Sequence, residues 1–187
     1  MKRGLNVIAA PGQTLALDAP LVRRSMKLIC DTGSHFDLDE ESANRLMNEI
    51  LARPLFGHLA TGSEQGPCES PVWFLWEAGI LWIIGNHETD SFPKRIEREP
   101  RCAIGIINFE VSTGVVQHVG FRGRARLEAH DPERMKRLLS RYMGALESWD
   151  SRFVKILDDA DYIFVRFEPE TAVVREQSYQ VTMNDRI

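Results

Sequence analysis

Cysteine is scarce: Cys30, Cys68 and Cys102 lie far apart, and no two of them form a C-x-x-C pair. So odd and sparse a set reads as reduced thiols of a cytoplasmic protein rather than a disulfide framework. No apolar run reaches the roughly 18–20 residues that span a bilayer, so no membrane segment is expected. A cationic excess is lacking too, because 23 Lys and Arg against 27 Asp and Glu leave a formal charge of −4. Phosphate neutralisation supplies much of the affinity for nucleic acid, so this balance argues against a DNA or RNA partner. The start, MKRGLNVIAAPGQTLALDA, has the early positive charges and small-residue end of a signal peptide. Its apolar stretch is interrupted by Asn6, Pro11, Gly12 and Gln13, and the reading stays cytoplasmic.

The common catalytic signatures are missing. There is no G-x-S-x-G elbow, no G-x-x-x-x-G-K-S/T loop, no G-x-G-x-x-G after a strand and no H-E-x-x-H. His35, His58, His87, His118 and His130 have no ligand-like spacing, so no metal is expected. No side chain is marked as a dedicated acid or base, and catalytic residues stay unknown at this level.

What is present is an ordinary globular composition, 43% hydrophobic and 27% charged, which excludes disordered and low-complexity classes. A chain of this length buries on the order of 70% of its unfolded surface and folds without metal or disulfide staples. Residues 1–37 show weak periodicity and many turn formers, and read as an N-terminal arm or short hairpin. Residues 38–187 read as one domain.

Acidic residues gather at Asp37–Glu41, followed by Ala43, Leu46, Met47, Ile50 and Leu51 at helical spacing, with Arg53-Pro54 as the stop. The period then changes. Leu55–Thr61 predicts a strand, Gly62–Gly66 a turn, and Ser70–Trp76 with Ile80–Gly85 a hairpin closed at Glu77-Ala-Gly79. Asp90–Glu99 predicts a short helix stopped by Pro100, and Cys102–Phe109 a strand. Along Val115–Glu128, Phe121, Gly123, Ala125 and Leu127 alternate with Arg122, Arg124 and Arg126, which project from one face. Asp131-Pro132-Glu133 caps a helix through Tyr142, and a second helical piece covers about Asp150–Leu157. Tyr162–Phe167 and Thr171–Arg175 predict two closing strands. Tight turns between most strands make the fold mainly β (α+β), an antiparallel sheet closed into a barrel with flanking helices.

The segment NHETDSFPKRIEREPR carries the clearest chemical pattern. It leaves an apolar strand at Gly85-Asn86 and enters a helix at Asp90-Ser91, where backbone N–H groups, a hydroxyl, Lys94 and Arg95 suit a phosphate. The competing reading is a solvated helix whose Lys94 and Arg95 pair with Glu97 and Glu99. Trp73, Trp76 and Trp82 on the hairpin could line a planar heterocycle, or simply form core. Gln117 and His118 open the arginine-bearing strand, where a side chain can cross a subunit boundary.

The ordered set LARPLFGHLAT, ESPVWFLWEAGILWIIGN, DSFPKRIEREPRCAIGI and HVGFRGRARLE resembles the pyridoxamine 5'-phosphate oxidase-like, FMN-binding split-barrel family over about residues 40–175. The resemblance implies an antiparallel split β-barrel and a homodimer with FMN in clefts between subunits. It places Ser70, Pro71, Val72 and Trp73 along the isoalloxazine and ribityl chain, partly through the main chain. It places Asn86, Ser91, Lys94 and Arg95 at the phosphate, and the family's glutamine from the second subunit at Gln117 or His118.

Two departures are clear: Ser70 and Phe92 stand where many members carry Arg and Lys. The tail SYQVTMNDRI also lacks the Trp…R-L-x-P segment of the vitamin B6 oxidases. The expectation is therefore an FMN-dependent oxidoreductase of a small-molecule substrate or nicotinamide donor. The alternatives are a non-catalytic flavin- or haem-binding module, with His58 or His118 as haem candidates, and a deazaflavin-dependent reductase.

Overall fold

Residues 26–30 and 38–181 are described by the computed structural model. Alternation of side chains builds the sheet. In β2 (Gly57–Ser63) Gly57, Leu59 and Thr61 are buried while His58 and Gly62 are exposed, and β6 (Arg101–Glu110) buries Cys102, Ile104, Ile106 and Asn108. β7 (Val115–Glu128) coincides with the predicted strand, and its three arginines face solvent as the pattern requires. With β1 (Lys27–Cys30), β3 (Gly66–Val72), β4 (Phe74–Glu77), β5 (Ile80–Asn86) and β8 (Tyr162–Glu176), the eight strands form one sheet. Its order is β3-β2-β6-β7-β8-β5-β4, every pair in it antiparallel, and β1, from within the arm, runs parallel along β8.

Two strand predictions are corrected. Ser70–Trp76 is not one arm of a hairpin: Ser70–Val72 ends β3, which pairs with β2, and only Phe74–Glu77 pairs with β5. The two ends of the sheet are thus consecutive pieces of one chain segment, joined at Trp73. The sheet closes on itself through this covalent link rather than through a hydrogen-bonded ladder, and β3 and β4 each keep one edge that no described strand pairs. The predicted closing strands are likewise one strand, β8. A register shift between Arg122 and Gly123 leaves Glu170 of β8 unpaired, next to Pro169, which faces Gly123 and cannot donate to a ladder.

Among the described residues four α-helices, α1 (Glu40–Ala52), α2 (Ser91–Arg98), α3 (Pro132–Met143) and α4 (Ser151–Lys155), flank the sheet. Asp39 caps α1 by accepting from the Ser42 N–H at 2.7 Å. Inside the barrel, Leu59, Phe74, Ile83, Phe121 and Phe167 pack against Leu46 and Ile50 of α1 and Ile96 of α2. A second core forms on the other face of β5 and β8, where Met135, Leu138 and Leu139 of α3 meet Trp149, Ile156 and Phe164. Among the described residues no helix is long and apolar enough to cross a membrane.

Tyr142 of α3 repairs the backbone at the strand break. Its hydroxyl accepts from the Phe74 N–H at 3.0 Å and donates to the Leu55 carbonyl at 2.8 Å. Tyr142→Phe leaves both backbone groups without that partner, and is expected to cost about 1–3 kcal/mol in urea unfolding. An unchanged midpoint would refute that role.

Candidate functional site

Asn86 ends β5 and shapes the start of α2. Its Oδ1 accepts from the Glu88 and Thr89 N–H groups, both at 2.9 Å, and its own N–H donates to Asp90 Oδ2 at 2.7 Å. The Asp90 carboxylate therefore turns back to β5 and makes no capping bond to α2, although it occupies the N-cap position. The first-turn N–H groups of α2 are left without a side-chain cap. Phe92, Pro93 and Ile96 are buried and fix the helix to the barrel. A Cβ on Gly85 would lie 2.8 Å from the Phe92 ring, so glycine lets α2 approach β5.

Arg95 gathers three hydroxyls around its guanidinium. Nε donates to Thr61 Oγ1 at 2.7 Å, Nη1 to Ser91 Oγ at 2.7 Å, and Nη2 to Ser70 Oγ at 3.4 Å. Ser91 and Arg95 are one helical turn apart and share a face, while Ser70 and Thr61 come from β3 and β2. Lys94 is exposed and donates to the Glu88 carbonyl at 3.3 Å. The competing ion pairs with Glu97 and Glu99 do not form. Glu97 lies 3.8 Å from His87, and Glu99 holds Arg101 at 3.0 Å. Hydrogen bonds from Arg101 keep the Glu99 carboxyl below the usual range. Among the described residues no carboxylate lies within ion-pair distance of Arg95, and its guanidinium donates only to hydroxyls.

Ser70, expected along the ring, thus meets Ser91 and Arg95, expected at the phosphate, with Asn86 and Lys94 close by in the chain. Val72 is buried in the barrel core, so it can present only its backbone, and Pro71 is exposed and has no N–H to offer. The three tryptophans part company. Trp76 stacks on Phe121 inside the barrel, and Trp82 lies under the Arg134 guanidinium at 3.7 Å. Trp73 stacks on Tyr142 with centroids 4.6 Å apart and planes 5° apart, and on Phe153 at 5.5 Å. It borders a cavity of about 240 Å³ together with Gly85, Asp90 and Phe153. Thr61, Tyr142 and Phe153 were not singled out in the sequence. Thr61 alone carried a signal, as a polar residue at an inward position after Gly57 and Leu59.

Gln117 and His118 lie toward the far end of β7 and do not join the Arg95 cluster within one chain. Gln117 is held within the chain, accepting from Asn108 Nδ2 and donating to Glu176 Oε2, both at 2.7 Å. His118 is on the opposite face, its ring over Gly120, where a Cβ would lie 2.8 Å from Cε1. Arg175 Nη1 is 3.2 Å from His118 Nδ1. Burial, and then the Arg175 charge, push the His118 pKa below its ordinary value. A base that titrates lower when folded binds fewer protons folded than unfolded. Its stabilising share is complete above about pH 6.5 and is lost as the pH falls below that. His118→Asn is expected to flatten the stability curve between about pH 7 and 5 in thermal melts. A slope there equal to that of the parent protein would refute this.

The fold is shared with several solved structures. An F420 reductase is 24% identical over 67% of this chain and 94% of its own, with a TM-score of 0.53. A FAD-binding protein from Mesorhizobium loti is 16% identical over 75% and 96%, with a TM-score of 0.54. The haem storage protein HutZ from Vibrio cholerae is 18% identical over 71% and 94%, with a TM-score of 0.56. No curated protein matches the chain in sequence. The family model described as pyridoxamine 5'-phosphate oxidase matches residues 44–174, from the middle of α1 to the closing strand, and on that span the chain belongs to the pyridoxamine 5'-phosphate oxidase family.

Proposed function

We propose that the chain is an FMN-binding flavoprotein, an oxidoreductase acting on a small molecule or nicotinamide donor as a cytoplasmic homodimer. The observation that carries this reading is the Arg95 guanidinium, ringed by the Thr61, Ser70 and Ser91 hydroxyls and free of any carboxylate within ion-pair distance among the described residues. Beside it stands a helix start without a side-chain cap, and the two together fit a phosphate. Arg95 and Ser91 would hold the phosphate, with Lys94 adding charge from the solvent side. The guanidinium arrives from α2 over Ser70, so it replaces the arginine that many family members carry at that strand position. The edge of β3 that no described strand pairs, at Ser70–Val72, and the Trp73 backbone that follows it would face the ring. When bound, FMN supplies the hydride or electron chemistry, while the protein supplies position and electrostatics.

The second chain would seat on the outer sheet face. Ala60, Ala103, Gly105 and Gly120 share that face across neighbouring strands, while Ile107 and Phe109 stand 51% and 58% exposed on it. Apolar side chains so exposed on a sheet are what an interface covers. His118 projects from this face and would reach the partner's flavin, whereas Gln117 is tied inward. Free Cys68 and Cys102 suit a reducing cytoplasm.

The test is the visible spectrum of the purified protein with light scattering for the dimer. Flavin bands and a mass of two chains are expected; a colourless monomer that takes up no added FMN overturns the reading. The fold shared with an F420 reductase and a haem storage protein keeps two alternatives open. Both His58 and His118 lie on the outer face flanking Gly105, where a haem iron could be approached. The mass of the heat-released ligand decides among FMN, deazaflavin and haem. Anaerobic reduction by NADH or NADPH separates an enzyme from a carrier.

A further inference from the structure

The cavity beside Trp73 has apolar walls. Ile84 and Trp73 supply its sheet side, and Leu139, Phe153 and Ile156 its helical side. Its charged lining is already engaged. Asp90 accepts from the Asn86 N–H and stands at the positive end of α2. Arg152, whose side chain is 81% exposed, is bonded twice to Asp150, at 3.1 and 3.2 Å. An anion entering here would meet the Asp90 carboxylate and gain a cation only by breaking the Arg152–Asp150 pair, whereas a neutral guest meets neither cost. The volume of about 240 Å³ exceeds the roughly 150 Å³ that holds a benzene-sized guest. It falls short of the roughly 300 Å³ where drug-sized sites begin. The Trp73 wall is rigid before any ligand arrives, because Tyr142 stacks on it and is itself pinned to Leu55 and Phe74.

We propose that this cavity is the substrate pocket of the flavin site, and that it takes a neutral planar molecule of one or two fused aromatic rings. The word substrate rests on the flavin reading; the binding does not. The cavity and the anion cradle adjoin at the start of α2, where Asp90 lines the first and Ser91 belongs to the second. The Trp73 side chain belongs to the cavity and its backbone directly follows Val72, the last residue of β3, so one residue adjoins both.

Calorimetric titration of flavin-free protein with 2-naphthol and 2-naphthoate tests the proposal. Saturable binding of 2-naphthol at one site per chain is expected, with 2-naphthoate weaker by at least about tenfold for want of a cation. Ile84→Phe fills the cavity and should weaken 2-naphthol by about tenfold or more, with FMN affinity and melting temperature kept. If that variant fails to fold, magnetisation transfer from 2-naphthol to the Trp73 indole in the parent protein takes its place. Absence of saturable 2-naphthol binding, equal binding of the two probes, or an indifferent Ile84→Phe overturns the proposal. FMN uptake without naphthol binding removes the pocket alone. Naphthol binding without FMN uptake removes the flavin reading and, with it, the pocket's role as a substrate site.

Discussion

Arg95→Ala is expected to lower FMN affinity by about 10–100-fold, whereas Lys94→Ala lowers it by less than about threefold, since charge-assisted hydrogen bonds contribute roughly 1.5–3 kcal/mol and exposed charges far less. The two cations are neighbours in sequence and differ in placement. The Arg95 fork is held by three hydroxyls from three elements, so its direction is set before a phosphate arrives. Lys94 is exposed, with its ammonium on the Glu88 carbonyl. Arg95→Lys separates charge from geometry: it keeps the cation and loses the fork, and intermediate affinity is expected. Quenching of flavin fluorescence on titration measures all three. A loss below about tenfold for Arg95→Ala, or equal losses at the two positions, would place the phosphate elsewhere.

Gly123→Ala is expected to cost at least about 3 kcal/mol, on the scale of the severe core substitutions, or to abolish folding. Gly123 sits at the register shift between β7 and β8. A Cβ there would overlap the Glu168 carbonyl oxygen and approach Pro169 Cα at 3.0 Å. The obstacle is backbone on the longest ladder of the sheet, and it cannot swing aside as a side chain would. Gly62→Ala is the control, because its Cβ would meet only Glu99 Cγ at 3.7 Å, an ordinary contact. That change is expected to stay within about 1 kcal/mol. Urea unfolding of the two variants checks the pair, and similar midpoints would show that the bulge tolerates a methyl group.

Much of this architecture is local in origin and therefore legible in the sequence. β7 alternates large inward residues with three arginines, which leaves one register possible, and α1 and α3 carry caps at Asp39 and Asp131. What escaped was partner choice. The alternation through Val72, Trp73 and Phe74 is unbroken, so nothing local says that the first half pairs with β2 and the second with β5. Glu168, Pro169 and Glu170 look like a strand break because a bulge and a loop have the same polarity. The site follows the same division. Ser91 and Arg95 are one turn apart and could be paired on sequence spacing, whereas the resemblance placed Ser70 along the ring and not with them. Thr61, Tyr142 and Phe153 matter through contacts made across the fold.

β8 has three neighbours: β7 along one side, and β5 and then β1 along the other. Among the described strands it is also the last that a ribosome delivers. Until it emerges, the nascent chain can hold β3-β2-β6-β7 and β4-β5 only as two separate fragments. Each would expose an edge that later becomes interior, and open edges recruit other chains. A truncation ahead of Tyr162 should therefore yield aggregates rather than a smaller soluble barrel, and a stalled chain would depend on chaperones until residue 176 has cleared the tunnel.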